Sequence, residues 1–292
     1  MVFDKNKILF FWVKYVKINY YKLTGSAKMS KVIDFHTHCF PDKIAKRAIE
    51  NLRYSAGGIE NHTDGTIEGL REIMKKSGVD KSVVLSIATN PTQQKNVNDH
   101  AAMINSDDLI AFGSVHPDAP DALEELERIK ELGLKGVKLH PEYQEFFVDD
   151  EKMKPIYRKI SSLGLVTIFH AGSDLGFDAP FKAMPEGIAK ALKWFDSPVV
   201  AAHWGGIRFY EDVFKHLVGK DIYMDISWGC GSIPRNMAIR MIEMHGVDKF
   251  LFGSDLPWSD PARDLRFVDT LELTDDDKDK ILYKNAEKLL GI

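Results

Sequence analysis

Two histidines two residues apart, His36 and His38, close a short run of strand-forming residues, Val32, Ile33 and Phe35. Alternate side chains of a strand share a face, so both imidazoles point to one side, as two ligands of one ion must. Pro41 then stops the strand and suits the first turn of a helix, which Ile44, Ala45, Ala48, Ile49 and Leu52 continue at helical spacing. A lone His-x-His is a short motif that ordinary surface or core histidines also produce. Its weight comes from recurrence: ligand-type residues stand just past one apolar run after another.

His116, His140, His170 and His203 each follow such a run, Asp225 lies in another, and Asp255 follows the last. Six of the ten histidines therefore gather at strand ends, and His62, His100, His216 and His245 fall elsewhere. Random scatter would rarely do this. Several histidines with a carboxylate suit Zn²⁺ or a similar divalent ion with room for water. Cys39 follows His38 directly and would point to the opposite face, so it is not counted as a ligand.

The elements that must position these groups alternate. Strands are expected near 32–35, 81–87, 109–113, 136–139, 165–169, 198–202, 222–226 and 249–252. Helices are expected over 67–76, 93–105, 119–132, 150–163, 185–195, 209–218 and 234–245, with Thr274 capping a last one. Eight strand–helix units without a Gly-x-Gly-x-x-Gly or a P-loop point to an α/β fold, a single (β/α)8 TIM barrel. In such barrels functional groups sit at the C-terminal ends of the strands, where these residues fall. The Gly57–Gly65 stretch is expected to be a flexible loop on that side.

Composition supports a soluble globular protein: of 292 residues, 44% are hydrophobic and 28% charged. Two cysteines, Cys39 and Cys230, provide no disulfide framework and fit a reducing cytoplasm. Residues 1–28 differ from the rest, with six lysines against Asp4, which leaves a net −9 on the remainder. Their apolar run is too short to span a bilayer. The expected organisation is an N-terminal extension, 1–28, outside the fold, and a barrel domain, 29–292. An acidic barrel without a basic stripe argues against a nucleic-acid enzyme. The expected partner is a small-molecule substrate, without membrane association, and a homodimer is possible.

Four segments then carry a family resemblance: His36-Thr37-His38, Ile168-Phe169-His170-Ala171-Gly172, Ala202-His203-Trp204-Gly205-Gly206 and Phe252-Gly253-Ser254-Asp255-Leu256-Pro257-Trp258. In order and spacing they resemble the amidohydrolase superfamily, and more narrowly its amidohydrolase-related branch of aminocarboxymuconate semialdehyde decarboxylase-like enzymes. That resemblance implies one divalent metal held by His36, His38, His170 and Asp255, Zn²⁺ first with Mn²⁺ as an alternative. It implies His203 as acid/base, with Asp255 sharing that work. In two-metal members a strand-four lysine is carboxylated, a role open to Lys138, but one ion per chain is expected here.

A divalent ion acidifies water and polarises a carbonyl, which leads to a hydrolase of an amide, ester or lactone bond in a small carbonyl or carboxylate substrate. The alternative is non-oxidative decarboxylation of a small aromatic or unsaturated acid, and a non-catalytic metal-binding barrel ranks lower. His140 is a pocket candidate, with Tyr143 and Gln144 as possible polar contacts. Asp225 is either an orienter of a ligand or a structural hydrogen-bond partner. Arg208 is a candidate clamp for a substrate carboxylate or a surface residue, and His116 is expected to mark a strand end.

Overall fold

The apolar runs become eight parallel strands, each followed by at least one helix. The computed structural model describes residues 31–292, which form one compact unit; the extension expected over 1–28 lies outside the described residues. β1 (Ile33–Thr37) leads to α1 (Asp42–Ser55) and α2 (Ile67–Ser77), β2 (Lys81–Leu85) to α3 (Gln94–Ile104), and β3 (Leu109–Phe112) to α4 (Ala122–Glu131). β4 (Gly136–Leu139) leads to α5 (Lys154–Ser162), β5 (Val166–Phe169) to α6 (Pro185–Ala191), and β6 (Val199–Ala201) to α7 (Tyr210–His216). β7 (Tyr223–Asp225) leads to α8 (Arg235–His245). β8 (Phe250–Leu251) is followed by α9 (Pro261–Asp269), α10 (Asp275–Asp279) and α11 (Asn285–Leu290).

Regular pairing runs β1-β2-β3 and β4-β5-β6-β7-β8, and hydrogen bonds join the two sheets at both seams. Between β3 and β4, Gly113 N donates to Gly136 O (2.9 Å) and Lys138 N to Gly113 O (2.9 Å). Between β8 and β1, Phe35 N donates to Phe252 O (2.8 Å) and Asp255 N to His36 O (2.7 Å). The ring is thereby closed. This is the TIM barrel expected from the strand–helix alternation.

Inward-facing residues from strands around the ring, among them Ile33, Phe35, Val83, Ile110, Phe112 and Ile168, fill the barrel interior, and α11 adds Ala286 and Leu290 to that cluster. The opposite strand faces pack under the helices. On β1 strict alternation would set Ile33 and Phe35 against His36 and His38. An irregularity between Asp34 and Thr37, where Phe35 and His36 together face Val83 of β2, resolves this conflict. Such a bulge re-aims the chain, so apolar residues plug the interior while both histidines look into it above the plug. Gly253 completes the fit: a Cβ there would lie 3.0 Å from His36 Cβ and 3.4 Å from Asp225 Cβ.

The observed elements are mostly shorter than the expected ranges, and one helix is additional. α6 stops at Ala191 and gives way to a 3-10 turn, Leu192–Trp194. A π turn, Lys280–Lys284, separates α10 from α11. α9 has no counterpart in the sequence expectation, although Asp260 caps it and Pro261 opens it. The loop around Gly57–Gly65 is fastened at its second half, where His62 N donates to Pro257 O and Phe40 N to Gly65 O (both 2.8 Å). No helix among the described residues is long and apolar enough to cross a membrane.

Candidate metal centre

β1 and the segment after β8 bring three donor atoms together. His36 Nε2 lies 3.3 Å and His38 Nε2 3.1 Å from Asp255 Oδ1. Donors bound at about 2.0–2.2 Å to one ion stand about 3 Å apart, so this set fits a small divalent cation. Trp228 Nε1 donates to Asp255 Oδ2 (2.6 Å), which occupies one carboxylate oxygen and leaves Oδ1 toward the histidines.

Each ring's outer nitrogen has a partner that fixes its tautomer. Asp225 Oδ2 accepts from His36 Nδ1 (2.8 Å), and Leu85 O from His38 Nδ1 (2.8 Å). Ser173 O, a carbonyl that only accepts, takes the proton of His170 Nε2 (3.1 Å). Ser227 Oγ gives its proton to Asp225 Oδ1 and so accepts from His203 Nδ1 (2.7 Å). The lone pairs left over are His36 Nε2, His38 Nε2, His170 Nδ1 and His203 Nε2.

The last two face each other at 3.2 Å. Lys138, buried and inward-facing on β4, brings Nζ to 3.3 Å from His36 Nε2. Burial lowers the Lys138 amine to about 8. Burial, then the Lys138 charge, depresses the His36 pKa; burial, then His36 and His170, does the same for His203. Both rings are neutral and free to act as ligand or base. Burial pushes Asp255 up, but His36, His38 and Lys138 outweigh it and hold the carboxyl below its usual range.

Several of these residues have unusual backbones. His203, Trp204, Trp228 and Asp255 have φ of 57°, 60°, 58° and 70°, left-handed values that cost about 1–3 kcal/mol each outside glycine. Neighbouring hydrogen bonds hold them there: Asp225 Oδ1 accepts from His203 N (3.0 Å), Asp225 O from Trp204 N (2.7 Å), and Asp255 O from Trp258 N (2.8 Å). Asp34 stitches β1 to the Asp255 segment by accepting from His36 N, Ser254 N and Ser254 Oγ at 3.1, 2.9 and 2.6 Å. Burial raises its carboxyl to about 7.

The structure thus gathers His36, His38 and Asp255 tightly and sets His170 beside His203. Asp225 sits behind the rings as their orienter. His140 stacks on His170, with ring centroids 4.3 Å apart, and its Nε2 lies 3.3 Å from Asp174 Oδ2. Arg208 is exposed and its guanidinium makes no ion pair with this group. Gln144 is buried scaffolding: its amide donates to Ala88 O and Val115 O, both 2.9 Å. His116 accepts from Asp118 N (3.2 Å), as a turn residue would. Asp34, Ser227, Trp228 and Asp174 were not identified as contributors from sequence. Asp34 and Ser227 do stand two residues from His36 and Asp225, the one local signal available.

A search of curated protein sequences finds no significant match. An uncharacterised TIM-barrel protein from Bordetella bronchiseptica superposes with TM-score 0.71 at 21% identity, over 89% of this chain and 98% of that one. 5-Carboxyvanillate decarboxylase from Sphingomonas paucimobilis gives 0.67 at 16% identity, over 90% and 99%. The decarboxylase of the same name from Novosphingobium aromaticivorans, complexed with manganese and 4-hydroxy-3-methoxy-5-nitrobenzoic acid, gives 0.68 at 16%, over 92% and 98%. These likenesses concern the fold. The amidohydrolase family model matches residues 33–292, and the chain, an enzyme with a candidate metal centre at the barrel rim, belongs to that family.

Proposed function

We propose that the protein is a metal-dependent hydrolase of an amide, ester or lactone bond in a small carbonyl or carboxylate substrate. The observation that supports this most is the convergence of four imidazole lone pairs on one inward-facing site beside Asp255 Oδ1, each set by an outer hydrogen bond. His36, His38 and Asp255 would hold the ion, and His170 would join through Nδ1. Zn²⁺ is proposed first because an imidazole-rich set suits it, with Mn²⁺ as the alternative. When bound, the ion supplies Lewis acidity toward the carbonyl and acidifies a water.

The chain's own residues supply the rest. His203 Nε2 takes the proton from the attacking water and returns it to the leaving group, while Ser227 and Asp225 hold Nδ1–H and steady the charged ring. Asp255 Oδ1 orients that water and Trp228 fixes the carboxylate plane. One ion per chain is the proposed count. If two are held, the buried Lys138 amine is the group placed to take up carbon dioxide and bridge them.

Decarboxylation is the second reading, favoured by the 5-carboxyvanillate decarboxylases among the structural neighbours. The proton for the substrate carbon that carbon dioxide leaves would then come from water, taken up by His203 Nε2 and passed on to that carbon. A panel of lactones, esters, amides and hydroxylated benzoates, assayed with Zn²⁺- or Mn²⁺-loaded protein, separates the two. Acid release without carbon dioxide, lost on chelation and regained with metal, is expected. Carbon dioxide release from an aromatic acid would select the second reading, and failure to bind metal would overturn both.

A further inference from the structure

Beside His170, on the ring face away from its contact with His203, the loops after β4 and β5 build a polar wall that the chemistry above does not use. His140 stacks on His170, Tyr143 packs edge-on against His140 (4.5 Å, 71°), and Phe177 packs edge-on against Tyr143 (4.9 Å, 89°). Asp174 reaches the same place: its Oδ2 lies 3.3 Å from His140 Nε2 and its Oδ1 accepts from Gly176 N (2.7 Å). The Tyr143 hydroxyl makes no hydrogen bond among the described residues, and Asp174 keeps lone pairs to spare. Beneath them Gln144 Oε1 accepts from His140 N (2.9 Å), so the wall is fixed before any ligand arrives.

Its electrostatics are one-sided. Burial pushes the Asp174 carboxyl up, but the hydrogen bond from His140 and the His170 ring outweigh that and keep it ionised. Burial, then the charges of Asp174 and Asp255, raises the Tyr143 phenol, which therefore remains a donor. Its ring lies against His140, which in turn stacks on His170. Lys138, with Nζ 3.3 Å from His36 Nε2, is the ammonium at the site, and it feels the Asp174 charge as well as those of Asp225 and Asp255.

We propose that Tyr143 and Asp174 form a two-point recognition subsite, in which Tyr143 donates to a substrate oxygen and Asp174 accepts from a substrate N–H or O–H. This rests on the hydrolase reading and narrows its substrate class. The substrate carries an amine, amide N–H or hydroxyl near the reacting carbonyl. A second carboxylate at that position would face the Asp174 carboxylate and be disfavoured against an N–H or O–H donor.

Benzohydroxamic acids carrying an aminomethyl or a carboxy group, meta or para, test this by calorimetric binding to metal-loaded protein. The hydroxamate chelates the ion and presents the substituent to the wall. Wild type is expected to prefer the aminomethyl compound by about tenfold or more, and Asp174→Asn to reduce that preference below about threefold with metal content unchanged. Tyr143→Phe is expected to weaken both compounds alike. Equal wild-type affinities, or a preference that survives Asp174→Asn, would overturn the subsite while leaving the metal reading intact. No binding of either compound to protein shown to contain metal would overturn the placement of the subsite beside that ion. Protein that takes up no metal would overturn both readings at once.

Discussion

His170 Nδ1 and His203 Nε2 stand 3.2 Å apart with no proton to share, because the other nitrogen of each ring donates elsewhere. Two facing lone pairs in a buried site are unfavourable without a cation nearby. Metal is therefore expected to stabilise the fold as well as enable chemistry. Free ion at a thousandfold over Kd contributes about 4 kcal/mol. For a chain of this size each kcal/mol moves Tm by roughly 2–4 °C. Dialysis against a chelator should lower Tm measurably and Zn²⁺ should restore it; an unchanged melting curve would count against a resident ion.

Asp225 sets the tautomer of His36 directly and that of His203 through Ser227. In Asp225→Asn, an amide NH₂ placed toward His36 would drive its proton to Nε2 and remove a ligand lone pair. Metal affinity is expected to fall about ten- to a hundredfold with the fold retained. Competition against a chromophoric chelator reads the affinity, and far-UV circular dichroism reads the fold.

The barrel and the rim histidines were legible because strand ends and ligand types are local features. His36, His38, His170, His203 and Asp255 each follow their own apolar run. What stayed hidden is tertiary. The His36–Asp225 bond joins residues 189 apart, and Trp228 reaches Asp255 across two loops. The β1 irregularity exists only as a mismatch with β2, so alternation alone could not reveal how Phe35 and His36 both serve the interior. Asp174 lies in a loop whose course nothing in its own sequence specifies. Gln144, a candidate polar contact by its place after His140, spends its amide on His140 N, Ala88 O and Val115 O beneath the site.

His203→Gln separates proton transfer from metal holding. With His36, His38 and Asp255 intact, metal content should stay near wild type. Turnover is expected to fall about a hundredfold to ten-thousandfold through loss of the acid/base. His38→Ala should instead lose metal and activity together. Elemental analysis beside kcat distinguishes the cases; loss of metal in His203→Gln would make His203 a ligand rather than a proton carrier.

Asp264, buried behind the loop that carries Cys230, has its carboxyl raised to about 7, chiefly by burial, against hydrogen bonds from Ser259 and Cys230. Its folded pKa lies above the unfolded value, so the native state holds the proton that the unfolded chain releases. Stability from this group is full below the unfolded pKa and declines as pH rises toward 7. Between pH 5 and 8 the wild type should lose on the order of 2 kcal/mol relative to Asp264→Asn, which mimics the protonated acid and does not titrate. Urea unfolding of both proteins at the two pH values measures the difference, and parallel curves would show that Asp264 is ionised in the native protein.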